Sequence, residues 1–185
     1  DKVGVNAKSF IAQQDFQSFT GKVSEENIQV SLSGKYALLA LQLENDTNLI
    51  VSSQDFKKNI NIIKYVEDQL KDKTVLAIKA HPLDKNFEVY KEYCDAKDLI
   101  FITSDIHQAL SEAHSVISVN STVLLEALEY PCNIYYLGDS ILENKGVAIN
   151  CKGRLLGDLW KNNLIYNANN RESLIQAFKD RQINL

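Results

Sequence analysis

From Lys35 onward the chain alternates apolar runs of strand length with stretches in which apolar residues recur every three or four positions. That texture marks β-α-β units around a parallel sheet. Tyr36 to Leu41 reads as a first strand. After a polar loop, Phe56, Ile60, Ile63, Val66 and Leu70 fall at helical spacing and predict an amphipathic helix from Asp55 to Lys71, with Asp55 able to cap its start. Thr74 to Lys79 follows as a strand, Asn86 to Ala96 as a helix and Leu99 to Thr103 as a third strand. Ser104-Asp105 then opens a short helix, Ile106 to Ala113. A fourth strand at Val116 to Val119, a helix at Ser121 to Glu129, strands at Asn133 to Leu137 and Val147 to Asn150, and a closing helix at Leu174 to Arg181 complete the pattern. The expected fold is α/β, a Rossmann-like parallel sheet with helices on both faces, over residues 35–185. Residues 1–34 scatter Gly4, Gly21 and Gly34 among polar residues with few apolar groups, which predicts a linker that wraps over the domain.

Composition narrows the function classes. The 185 residues are 45% hydrophobic and 24% charged, enough apolar material for one domain with its own core. Net charge is −4 and the 20 Lys and Arg are scattered, so no basic stripe points to nucleic acid. No run approaches the roughly 18 apolar residues of a membrane span, and nothing resembles a signal peptide. Cys94, Cys132 and Cys151 are odd in number and lack CxxC spacing, which argues against a disulfide framework or structural zinc and fits a reducing cytoplasm. The sequence contains no Met and opens at Asp1-Lys2-Val3-Gly4, so it is expected to be a processed or truncated piece of something longer.

In an open parallel sheet, ligands bind beyond the carboxyl ends of the strands. Three segments fall there: Gln42 to Asn48 after the first strand, Lys79-Ala80-His81-Pro82 after the second, and Asn120 to Glu126 after the fourth. Ser121 and Thr122 would start a helix, where backbone N–H groups, the helix dipole and two hydroxyls favour an anion; ordinary N-capping would explain the same residues. Glu126, one turn on, is placed to reach sugar hydroxyls or simply to face solvent. Pro82 holds His81 at the strand exit, where its ring could donate to a phosphate oxygen or serve only the turn. Asp46 by itself would be a loop carboxylate. His107 and His114 lack partner acids at ligand spacing and read as structural or surface residues.

Together these segments resemble the capsule polysaccharide biosynthesis family that contains the bacterial β-Kdo transferases. Gln42-x-x-x-Asp46 is similar to the family's Gln-x-x-x-Asp motif, Lys79-Ala80-His81-Pro82 to its Lys-Pro-His-Pro motif, and Ser118-Val119-Asn120-Ser121-Thr122 with Glu126 to its third signature. Three matches in order, each after an expected strand, are far more specific than one. The resemblance runs from about Tyr36 to Leu137 and departs at Ala80, where the family usually has proline. It implies a GT-B glycosyltransferase of two Rossmann-like domains, of which this chain is the C-terminal, nucleotide-sugar-binding half. It further implies CMP-Kdo as donor, His81 and Ser121-Thr122 on the CMP phosphate, Glu126 on the nucleotide sugar, and Asp46 acting at the Kdo anomeric carbon. Gln42, Lys79, Pro82 and Asn120 complete the implied substrate site. The acceptor, a glycolipid or polysaccharide, would be held by an N-terminal domain outside this sequence, which leaves room for peripheral association with the inner membrane.

Sialyltransferases using CMP-sialic acid share the His-Pro and paired-hydroxyl motifs and are the nearest alternative; Gln-x-x-x-Asp tilts the reading to Kdo. Glycerophosphate polymerases also carry a His-Pro, but with Asp-Tyr-Ser-Ser where this chain has Asn-Ser-Thr. A non-catalytic nucleotide-binding domain is the alternative from a different class. No cofactor or metal is expected, since no acid pair sits beside the phosphate segment.

Overall fold

The structure, a computed structural model, describes residues 30–31, 34–44, 56–164 and 168–180. In chain order its elements are β1 (Val30–Ser31), β2 (Tyr36–Ala40), α1 (Asn59–Leu70), β3 (Leu76–Lys79), α2 (Phe87–Ala96), β4 (Ile100–Phe101), α3 (Ile106–Glu112), β5 (Ala113–Ser118), α4 (Val123–Glu126) with a 3-10 turn (Ala127–Glu129), β6 (Asn133–Tyr136), β7 (Ile149–Asn150), α5 (Leu156–Leu159), β8 (Asn163–Leu164) and α6 (Ala168–Asp180). The main sheet runs β4-β3-β2-β5-β6-β7, every pairing parallel. Within this sheet the chain enters at β2 in the middle, builds to one edge, returns to the centre and builds to the other. This is the doubly wound order, and its switch point lies between β2 and β5.

Strand alternation divides the core into two layers. Ala37 and Leu39 of β2, Ile117 of β5 and Tyr135 of β6 face one helical layer with Ile62, Ile63, Val66 and Leu70 of α1 and Cys94 of α2. Tyr36 and Leu38, Val116, Ile134 and Tyr136 face the other, against Ala109 and Leu110 of α3, Leu124 of α4 and Phe178 of α6. The central strands are buried on both faces, which is why their sequences read as continuous apolar runs. At the start of β2 a Cβ on Gly34 would lie 2.1 Å from the His114 backbone nitrogen, so only glycine lets the chain enter beside β5.

The sheet confirms the expected class, and the differences are local. β5 starts at Ala113, three residues before the expected Val116, because small Ala113 and Ser115 are buried in the sheet and do not continue α3. The helix expected over Ser121 to Glu129 is four α-helical residues and a 3-10 turn. α6 begins at Ala168 instead of Leu174, anchored by Arg171, whose guanidinium donates to the carbonyls of Tyr130 (2.8 Å) and Cys132 (2.7 Å). α5 and the antiparallel β1–β8 pair were not expected. The latter gives part of the 1–34 segment a place in a strand; the remainder of it, apart from Gly34, lies outside the described residues, as does Asp55. α1 instead starts after Lys58, which makes no side-chain cap.

Candidate functional site

Two hydrogen bonds close the switch point. The Ser118 hydroxyl, at the end of β5, donates to the Ala40 carbonyl at the end of β2 (2.7 Å). Beyond them the Asn120 backbone N–H donates to Gln42 Oε1 (3.1 Å). Gln42 is 6% exposed, so its side chain is a strap between the two strand exits, with no partner for Nε2 among the described residues. The first and third expected segments thus meet at one place.

His81 leaves β3 next to this crevice, half-buried. The Leu83 backbone N–H donates to its Nδ1 (3.1 Å), and the Asp84 N–H to its carbonyl (2.9 Å). An Nδ1 that accepts puts the neutral ring's proton on Nε2, so the imidazole presents a donor at the strand exit. Pro82 is exposed in that turn, and Ala80 packs into the core. The Lys79 ammonium donates to the Ser104 carbonyl, tying the β3 exit to the loop after β4. Burial lowers the Lys79 pKa and nearby Asp105 partly restores it.

The third segment departs from its expected geometry. Ser121 Oγ accepts from the Val123 N–H (3.2 Å), while Thr122, at the cap, makes no side-chain cap bond and is exposed. Ser121 therefore keeps a hydroxyl proton to donate, and Thr122 both functions of its hydroxyl. With only four α-helical residues behind them, the helix dipole is a minor contribution here, and an anion would rest on hydroxyls and loop amides. Glu126 is half-buried, and burial raises its carboxyl pKa, opposed by the neighbouring His107.

His107 is the residue that spacing did not reveal. The Asp105 side chain accepts its backbone N–H (2.8 Å) at the start of α3. Its ring stacks on Tyr130 with centroids 6.5 Å apart, Nδ1 lies 3.1 Å from the Tyr130 hydroxyl, and it is an electrostatic neighbour of Glu126. Only the packing of α3 beside α4 creates this group, so no local signal announced it. His114 is structural as expected, wedged between Thr74 (2.7 Å) and Trp160. Asp46 lies outside the described residues. A cavity of about 590 Å³ opens at the opposite end of the sheet, around Lys71 to Leu76 and Lys97 to Leu99. Its acids and lysines are interspersed, and in this topology ligands sit at the strand C-termini, so the site is assigned to the switch point.

A doubly wound sheet with polar strand exits gathered at its switch point defines an α/β, Rossmann-like domain. The model of the family "Capsule polysaccharide biosynthesis protein" matches residues 5–183, and the chain belongs to that family. It is 27% identical over 128 residues to the capsule polysaccharide export protein KpsS of Escherichia coli, covering 63% of this chain and 33% of that protein. Among solved structures it is similar to the β-Kdo 2,7 transferase of Thermosulfurimonas dismutans KpsC, with TM-score 0.54, 19% identity, and coverage of 77% of this chain and 45% of that one. For the β-Kdo 2,4 transferase of the same KpsC, the figures are 0.48, 15%, 74% and 43%. The chain thus spans less than half the length of these relatives. Among the described residues no helix is long and apolar enough to cross a membrane.

Proposed function

We propose that this chain is the donor-binding half of a GT-B glycosyltransferase that takes CMP-Kdo and transfers Kdo in capsule or surface-polysaccharide synthesis. The observation that carries the reading is the bond from Asn120 N–H to Gln42 Oε1, which joins two of the three family-like motifs at the switch point, with His81 at the next strand exit. Family membership and a fold shared with a Kdo transferase domain support it. In this reading His81 Nε2, the Ser121 and Thr122 hydroxyls and Gln42 Nε2 donate to the CMP phosphate and adjoining oxygens. They stabilise the charge that CMP carries away as it leaves. Glu126 accepts from sugar or ribose hydroxyls. Lys79 ties the β3 exit to Ser104 with one N–H and has two left for the substrate. Asp46 is the catalytic carboxylate, adding to the anomeric carbon in a retaining transfer or taking the acceptor proton in an inverting one. The acceptor is a glycolipid or polysaccharide held by the partner domain, the donor step needs no metal or other cofactor, and the reaction belongs to the cytoplasm or its face of the inner membrane.

The test is to supply the whole protein with CMP-Kdo or CMP-sialic acid and measure CMP release and transfer, for wild type and for Asp46→Asn. Transfer from CMP-Kdo that falls at least about a hundredfold in Asp46→Asn, with CMP affinity retained, is the expected result. Preference for CMP-sialic acid would move the donor assignment to the sialyl class. Turnover indifferent to Asp46 would remove its catalytic role, and absence of turnover with intact CMP binding would favour a non-catalytic nucleotide-binding domain.

A further inference from the structure

Asn59, the first residue of α1, is 0% exposed. A polar side chain survives such burial by being tied to its surroundings. Its Nδ2 donates to the Gln42 carbonyl (2.6 Å) and to Asp84 Oδ2 (3.0 Å), and its backbone N–H donates to Glu44 Oε1 (2.8 Å). One residue therefore grips both the segment leaving β2 and the turn leaving β3. The Tyr90 hydroxyl sits 3.2 Å from both Glu44 Oε1 and Asp84 Oδ2 and closes the ring of contacts from α2.

The amide is oriented by these partners, since flipping it would set its oxygen against the Gln42 carbonyl and the Asp84 carboxylate. In that orientation Asn59 Oδ1 is buried without a hydrogen-bond partner. An unpaired buried acceptor costs stability, and a leucine would fill the same space without one. Residues that break a local rule in this way collect where geometry serves function.

We propose that Asn59 is a positioning residue that sets the distance between the arm after β2, which carries Gln42, and the His81 turn after β3. The inference rests on the reading above, in which both arms address one donor. The His81 turn keeps its own bonds through Leu83 and Asp84 N–H, and Gln42 stays tied to Asn120 N–H through its Oε1, so loss of Asn59 should leave most of the hold on CMP. What it disturbs is the register of the β2 arm against that phosphate, and misplacement of reacting groups lowers the chemical step more than binding.

The experiment compares Asn59→Leu and Asp84→Asn with wild type in the whole protein, by thermal melting, CMP calorimetry, and kcat and KM with CMP-Kdo. Asn59→Leu is expected to fold, to bind CMP within about threefold of wild type, and to lose at least about tenfold in kcat. Asp84→Asn, which keeps an acceptor oxygen for Asn59 Nδ2, is expected to retain kcat within about threefold. A merely space-filling Asn59 would shift the melting temperature and leave kcat of the folded protein unchanged, and that result overturns the proposal. If Asn59→Leu does not fold, Asp84→Leu cuts the same clamp from a half-exposed turn, and an unchanged kcat there overturns it equally. Wild-type protein that neither binds CMP nor turns over CMP-Kdo overturns the donor reading itself, whereas wild-type turnover matched by Asn59→Leu overturns this proposal alone.

Discussion

Replacing His81 with alanine separates the donor role of the β3 exit from its role as a turn. The side chain is half-buried and makes one intramolecular bond, accepted at Nδ1 from Leu83 N–H at 3.1 Å. Its removal costs the fold about 0.5 to 1.5 kcal/mol, the net worth of a partly exposed neutral hydrogen bond. For a domain of this size that is a fall in melting temperature of roughly 1 to 6 °C. The loss to binding is larger, because Nε2–H donating to a phosphate is a charge-assisted bond worth about 1.5 to 3 kcal/mol. CMP should therefore bind roughly 10 to 150 times more weakly. His81→Gln, which keeps a donor on a side chain of similar reach, should lose less. Calorimetry with CMP at fixed salt reads the affinity, and a melt on the same samples shows that the variant is folded. A folded His81→Ala protein with wild-type affinity for CMP would show that the imidazole only shapes the turn.

The remaining predictions concern the fold and the electrostatics. Arg171→Met preserves bulk but strips the Tyr130 and Cys132 carbonyls of their buried donors, so stability should drop by about 2 to 4 kcal/mol; a melting temperature lowered by less than roughly 3 °C would contradict that. Burial pushes the thiols of Cys94 and Cys132 up to about 11 and that of Cys151 up to about 12 from an ordinary 9.0, and the phenols of Tyr36 and Tyr90 up to about 12 from 10.0. The folded state then holds these protons more tightly than the unfolded state, and their contribution is complete below pH 9 and lost as pH rises through 11 to 12. Urea midpoints should be flat near neutrality and fall steeply over that alkaline range; a midpoint unchanged across it would show that the groups are not buried in solution. Transfer by the whole protein should be indifferent to EDTA, and activity that stops with chelator and returns with magnesium would refute the metal-free donor site.

Much of the fold was legible because the central strands are buried on both faces and therefore spell uninterrupted apolar words, while α1 and α2 bury one stripe each. The switch-point segments were legible for the same reason, since a polar loop directly after such a strand has only one end of the sheet to occupy. What the sequence hid depends on distant partners. Glu44 receives the first N–H of α1 from fifteen positions away, a partner that no local pattern announces. Arg171 looks like a surface residue until the carbonyls of Tyr130 and Cys132 supply acceptors for it. His107 acquired Glu126 and Tyr130 only through helix packing, and the bond from Lys79 to the Ser104 carbonyl joins two loops that the sequence keeps apart. α4 gives way after Glu126 to a 3-10 turn that ends two residues before Pro131, where the chain leaves helical geometry to enter β6.

The central claim is that the crevice between β2 and β5 holds CMP, and amide-resolved NMR of the labelled protein titrated with CMP tests it most directly. The account predicts shift changes concentrated at Gln42, His81 and Asn120 to Glu126, with UDP at equal concentration producing weaker changes there. Changes concentrated instead at the opposite end of the sheet, around Lys71 to Leu76 and Lys97 to Leu99, or a stronger response to UDP than to CMP, would contradict it.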